Sequence, residues 1–551
     1  MSVARRAVRR SAERALRLTT SPRAMRSGVL TGLWNVALGA PALPDATRVR
    51  LAEAVHAGLV GAGRPDRAAH ASAVAMARLH DAKLRATVLA RRAGKELDAG
   101  TPPSLAAAVA AELALADASF ARGDVPGAVA SVQAAQRRVF DRRLHFDRLT
   151  SPLAEDPAAF LAPWHASTAV RALSAPRGRC APVAPAPVDR PLRLLMVTYG
   201  NHGFLDLVRR HFDQRPDVEL RFLDPGETGT HVPLLGNSRA MMEHLLAGHS
   251  EYGDTVAEWL APQVEWADVV FVDWCAALAV LFSLIDPGTT RVVVRLHSFE
   301  AFAMWPHLVD FTRVDDLIFV SDHLRDLTVA AVPALAAAGT RRHVISNAMD
   351  LPAFQRPKSA DARFTLGLVG IKAVAKDPRW AVEVLRELRV HDERYRLLLF
   401  GKDLDPGASP DSRRYWDAFL ADIAELEPSG AVVRRGQVDD VPGALTEVGV
   451  ILSSSVRESF HCGLVEGAAS GAVPVVRDWP FFAGKPASAR TLFPADWVVD
   501  TPAEAAQRIL AATATEDAWR KAGEEAAEHA VETWGWQRVK HQFDEVVTGR
   551  S

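Results

Sequence analysis

The stretch Arg457–Val476, RESFHCGLVEGAASGAVPVV, decides how the rest of the chain is read. It lies between two apolar runs, Val448–Leu452 and Val473–Val476, with the length of short buried strands. Between them Gly463–Ser470 reads as a helix, with Gly471 as its stop. Glu458 precedes the helix, in a loop with Ser453, Ser454, Ser455 and Ser459, and Glu466 is expected in the first turn. Backbone amides at a helix start have no internal partner, so a helix following a strand is a ready phosphate site. Two ionised carboxylates beside it are acceptors for sugar hydroxyls. A pair of glutamates eight apart is common, and a helix dipole alone stabilises an acid at this end. The strand–turn–helix–glycine–strand frame around the pair is what favours a site.

This stretch resembles the E-x7-E motif of retaining, nucleotide-sugar-dependent glycosyltransferases, glycosyltransferase family four in particular. The resemblance spans about residues 192–547. It implies an α/β fold of the GT-B kind, two Rossmann-like domains facing across a cleft, here preceded by an all-helical N-terminal region. It also implies that Glu458 meets the donor sugar, that Glu466 holds the nucleotide ribose, and that the diphosphate rests on the amides of His461, Cys462 and Gly463.

Phe364–Val369 reads as the first strand of the donor half and runs into Gly370-Ile371-Lys372-Ala373-Val374-Ala375-Lys376. Ammonium groups near a strand end suit a diphosphate. Lys376 matches the family's lysine, whereas Ile371 stands at its arginine position with Lys372 beside it. A residue displaced by one at a strand end can face away, so Lys372 is the weaker candidate. Tyr395–Phe400 and Val432–Val438 are further strands. Asp403-x-Asp405 is the spacing of a metal–nucleotide motif in another glycosyltransferase fold, but paired loop aspartates are ordinary turn chemistry, and no metal site is expected.

On the N-terminal side, Leu192–Thr198 reads as the first strand of a parallel sheet and ends in Tyr199-Gly200-Asn201-His202-Gly203. Such a glycine turn lets backbone approach a ligand, and the family uses it near donor phosphates and acceptor; Gly200 and Asn201 are the candidates. Val218–Leu223, Ala267–Val272, Arg291–Leu296, Asp316–Val320 and His343–Ile345 are the other strands. His297 follows one of them, where open α/β sheets bind ligands, and is expected to bond sugar or acceptor without being assigned as a base. Glu300 either pairs with Arg295 or orders the loop. Ser346–Asp350, SNAMD, resembles the family's interdomain turn.

The chain divides into a helical accessory domain over 1–173, a Pro- and Ala-rich linker over 174–190, an acceptor domain over 191–350, a donor domain over 351–530, and over 531–551 a terminal helix crossing back. Ala114–Ala135 resembles one tetratricopeptide hairpin; a solenoid needs about three repeats, so a bundle is expected. The basic start, with Arg5, Arg6, Arg9, Arg10, Arg14 and Arg17, reads as a solvated terminal helix before it reads as a helix on an anionic membrane.

A net charge of −1 gives no polyelectrolyte role, and three scattered cysteines form no disulfide or metal pattern. No apolar run is long enough to span a bilayer, and Asn35 interrupts the one segment that imitates a leader. The expectation is a cytoplasmic, metal-independent, retaining glycosyltransferase without a cofactor, with a UDP- or GDP-sugar as substrate. Its acceptor would be a saccharide, lipid-linked or protein hydroxyl, with no nucleic-acid partner. The basic N-terminus would meet the inner face of a membrane, and the helical domain a protein partner. The rivals are another nucleotide-sugar enzyme, such as an epimerase, and a non-enzymatic scaffold acting through its helical region.

Overall fold

The computed structural model describes residues 11–549 except Ala12 and Thr101. Arg5, Arg6, Arg9 and Arg10, and with them part of the expected basic helix, lie outside the described residues.

Two parallel six-stranded sheets organise the larger part of the chain. The first runs β2-β1-β3-β4-β5-β6 and comprises β1 Leu192–Val197, β2 Val218–Leu223, β3 Val269–Asp273, β4 Arg291–Leu296, β5 Asp316–Phe319 and β6 Arg341–Val344. Every residue of β3, β4 and β5 is buried, as in a parallel sheet covered on both faces. The second sheet runs β12-β11-β10-β7-β8-β9. It is built from β7 Thr365–Val369, β8 Arg396–Phe400, β9 Val432–Gly436, β10 Val450–Ser453, β11 Val473–Arg477 and β12 Val498–Val499. Two Rossmann-like α/β lobes that follow a helical N-terminal region in the chain are therefore present, as expected.

The motif helix runs Cys462–Ala469, one residue earlier than the sequence reading. Glu466 is consequently its fifth residue, in the second turn instead of the first. The chain ends in three helices, Pro502–Ala512, Glu516–Trp534 and Trp536–Thr548. The last inserts Val539, Phe543, Val546 and Val547 into the core of the first sheet. Trp534 packs among Phe460, Phe493 and Trp497, and Trp536 against His211.

By contacts the chain divides into Met1–Val139 with Pro163–Val170, and Phe140–Ala162 with Arg171–Ser551. In the first unit the helices Leu105–Ala121 and Val125–Val139 form a hairpin at Gly123, with fully buried Ala108, Ala116, Ala128 and Ala135 permitting close contact. In the second, residues 174–190 have no regular structure yet are tied down along the first sheet. The Arg177 amide donates to Asp310 (2.7 Å), Arg179 pairs with Asp315 (2.5 Å) and Arg190 with Asp268 (2.6 Å). The arginines among the prolines make an anchored strap of what composition alone reads as a spacer. No helix of the described residues is long and apolar enough to cross a membrane.

Candidate functional site

The carboxyl ends of β7 and β10 meet in two loops that are bonded to each other. The Val456 amide donates to Ala375 (2.8 Å) and the Ser454 hydroxyl to the Lys376 carbonyl (2.7 Å). Asp377, at φ 42°, fixes the first loop by accepting from Tyr415 and Arg477, both at 2.7 Å. This brings Lys376 Nζ to 2.6 Å from Glu458 Oε1, which also accepts from Ser455 (2.6 Å). Burial pushes Glu458 up, but the Lys376 ammonium, His461 and the Ser455 hydroxyl more than offset it and hold the carboxyl down at about 2. Glu458 is therefore a fixed anion at neutral pH.

His461 caps the motif helix in the left-handed region, φ 67°. Its Nδ1 lies 2.7 Å from Ser453 Oγ, while its buried Nε2 has no partner among the described residues and stands 4.0 Å from Glu458. Burial lowers its pKa to about 4, so the ring is neutral. Among the described residues the amides of Cys462 and Gly463 meet no backbone carbonyl. Gly463 is required here, because a Cβ would fall 2.7 Å from the Val369 Cβ at the end of β7. The Cys462 thiol is pushed up to about 12 by burial and accepts from Asn347 Nδ2 (3.5 Å). The interdomain turn thus touches the helix start.

Glu466 stands deeper along the helix, and burial alone raises it to about 7. A carboxylic acid raised in the folded state is destabilised as pH rises through that value. If Glu466 accepts from ribose hydroxyls, its ionised form does so through both oxygens and with charge assistance, whereas the protonated form keeps only its carbonyl as a good acceptor. UDP affinity is then expected to rise about tenfold between about pH 6 and pH 8, with the slope lost in Glu466→Gln; titration calorimetry at both pH values checks it.

Lys372 is exposed and meets neither glutamate. Asp403 pairs with Arg434 (2.9 Å), and Asp405 accepts from the Gly407 amide in a turn. Among the described residues no group of three or more His, Cys, Asp or Glu could hold a metal ion.

The other sheet contributes a second cluster. β3 and β4 pair so that Asp273 lies beside Arg295. Arg295 Nε donates to Asp273 Oδ1 (2.6 Å), and His297 Nε2 lies 3.0 Å from the same oxygen; all three residues are buried. Burial raises the Asp273 carboxyl, but Arg295 and His297 overcome this and hold it far below the usual range. His297 is lowered by burial, against the pull of Asp273. Trp274, in the left-handed region at φ 73°, covers the His297 ring at 4.0 Å. Glu300 orders the loop by accepting from the amides of His297 (3.1 Å) and Cys275 (3.2 Å) and does not pair with Arg295; burial lifts it to about 8. Gly200, φ 67°, donates to Asp224 (3.1 Å), and the Asn201 carbonyl accepts from Trp274 Nε1 (3.4 Å). Asn201 thus meets this cluster through Trp274, while Gly200 is tied to Asp224.

Contacts join the two clusters. His323 Nε2, at the start of a helix following β5, lies 2.9 Å from the Glu458 carbonyl. Arg457 donates to Ser298 Oγ (3.4 Å), with its guanidinium 4.6 Å from the Phe146 ring and 4.7 Å from the Phe302 ring. Sequence reasoning missed Asp273, Arg457 and His323. Arg457 was in view beside Glu458, but only the fold supplies its aromatic cage.

No family model and no curated protein matches this chain. Among solved structures it is similar to Anabaena HepE in complex with UDP and glucose, at 15% identity and TM-score 0.48, over 65% of this chain and 100% of that one. It is similar also to a glycosyltransferase of Rickettsia africae (13%, TM-score 0.47, 65% and 98%) and to S. aureus TarM (12%, TM-score 0.41, 54% and 59%). At these scores the likenesses carry no weight on what the chain does, which rests on its own residues.

Proposed function

We propose that this chain is a glycosyltransferase that moves a sugar, with retention, from a nucleoside-diphosphate donor to a hydroxyl of a glycan, glycolipid or protein. One observation carries the reading: Lys376 and Glu458 are paired in the loops that follow adjacent strands, beside a helix whose first amides meet no backbone carbonyl among the described residues. The diphosphate docks on the amides of His461, Cys462 and Gly463, and Lys376 turns from Glu458 to the phosphate. The anomeric carbon–oxygen bond breaks with its electron pair passing to the phosphate. The acceptor oxygen bonds the same carbon on the same face, and its proton ends on the released diphosphate. Charge accumulates on the phosphate as the bond breaks, where a preset cation and amides lower the barrier. Glu458, freed from Lys376, orients sugar hydroxyls and offsets positive charge at the anomeric carbon. The cation is supplied by the chain, so the reading needs no metal, and a chelator leaves the rate unchanged. Glu466 receives the ribose.

Thermal-shift measurements with UDP-, GDP- and ADP-sugars test the reading. At a hundredfold excess over Kd a bound donor stabilises by about 2.7 kcal/mol, and the rise in Tm is expected to disappear in Lys376→Met. No rise with any donor sinks the proposal. Conversion of labelled donor to another sugar nucleotide without acceptor replaces transfer with epimerisation.

A further inference from the structure

A cavity of about 420 Å³ opens at the carboxyl ends of β1, β3 and β4. Its walls are the aromatic rings of Tyr199, Trp274, Phe299 and Trp305 with the aliphatic Leu235 and Leu278. Tyr199 and Phe299 are 47% and 39% exposed, the two aromatic side chains among the exposed large apolar ones of the described residues. A cavity of this size lined by aromatic and aliphatic side chains with a few polar groups is the usual form of a small-molecule site. Beside this apolar space lies a buried polar atom that is unsatisfied among the described residues. Asp273 lines the cavity, is fully buried, and has an Oδ2 without a partner among the described residues, since Arg295 and His297 both address Oδ1. A buried carboxylate oxygen left unpaired costs free energy that a hydroxyl donor in the cavity would recover. Trp274 is held at φ 73°, a conformation unfavourable for a bulky residue and one that concentrates at ligand sites.

The cavity adjoins the proposed transfer site. Phe299 lies one residue beyond Ser298, which accepts from Arg457, the neighbour of Glu458. The cavity's polar groups are few, the Asp273 carboxylate, the Asn201 amide and the Tyr199 hydroxyl, and the rest of its wall is apolar, so a molecule with an apolar part suits it better than one bearing a hydroxyl on nearly every carbon.

Building on the transferase reading, we infer that this cavity takes the apolar part of the acceptor, an aryl or alkyl group attached beside its hydroxyls, with one hydroxyl donating to Asp273 Oδ2. The acceptor class is then an amphipathic hydroxyl compound and not a bare saccharide.

Matched probes test this by titration calorimetry on the full chain: methyl, phenyl and hexyl β-D-glucosides, each with UDP present. The phenyl and hexyl compounds are expected to bind at least about tenfold more tightly than the methyl one, given the apolar area removed from water. Phe299→Ala and Tyr199→Ala, both at exposed positions, are expected to narrow that gap. Trp274→Ala is expected to close it, with circular dichroism and the donor-dependent rise in Tm confirming that the variant folds. Equal affinity for all three probes, or an undiminished gap in all three variants, overturns the inference. The two readings fail separately. Selective binding without turnover of any donor removes the transferase reading and leaves the apolar site standing. Turnover with no preference among the probes does the reverse.

Discussion

Lys376→Met is expected to lower the rate of sugar transfer by about 10²–10³-fold, the loss typical of removing one preset stabiliser of developing negative charge. The same change removes the ammonium 2.6 Å from Glu458, so it acts on stability as well. Glu458 has a side chain only 12% exposed and would remain as an anion without its cation. Full burial would make that cost about 3–5 kcal/mol, and partial exposure reduces it to about 1–3 kcal/mol. The sign with pH follows from the pairing. Glu458 is depressed to about 2, so its contribution is complete above the ordinary carboxylate range and fades as pH falls towards 2. Wild type and Lys376→Met should therefore differ most at neutral pH and converge in acid. Adding Glu458→Gln should recover most of the lost stability, since no orphan anion is left, while transfer stays low. Denaturation midpoints and initial rates on the same three proteins check both halves. A double variant with restored activity would mean that the pair is only a structural tie.

Much of this was legible beforehand because parallel strands buried on both faces read as short apolar runs. Val218–Leu223 and Arg291–Leu296 were placed at their observed ends, and the glycine after the motif helix marked its stop. The pairing of Lys376 with Glu458 was not legible, since it depends on β7 lying beside β10, strands more than eighty residues apart. The Asp273–Arg295 contact was hidden for a related reason. Arg295 sits inside RVVVRL and Asp273 ends VVFVD, where each looks like a minor interruption of an apolar strand. Only register shows that they are neighbours. The helices between Pro225 and Trp266 are not legible in the sequence: three of the four are ten residues or shorter, too short for a period to declare itself, and the fourth, Glu251–Trp266, holds Pro262 in its interior.

That hidden pair carries the second large effect. Asp273→Leu is expected to cost about 3–5 kcal/mol, because it leaves a guanidinium with a fully buried side chain and no counter-ion. Arg295 would keep only the Phe204 carbonyl, at 2.9 Å, and the faces of Phe271 and Phe543. The Asp273 carboxyl is held far below its ordinary value, so its contribution is present at neutral pH and lost only as pH falls through that depressed value. Hence the destabilisation of Asp273→Leu should be nearly constant from neutral pH down to the ordinary carboxylate range and shrink below it. The companion Asp273→Leu/Arg295→Met removes both charges and fills the space with apolar groups, and such replacements are often neutral or stabilising. Urea denaturation of the two variants separates two roles for the pair. If the double variant regains wild-type stability yet loses affinity for phenyl β-D-glucoside, the charges are kept for the hydroxyl that Asp273 receives. If it regains neither, the carboxylate serves first to hold His297 under Trp274, and the ring loses its place when its acceptor at 3.0 Å is gone.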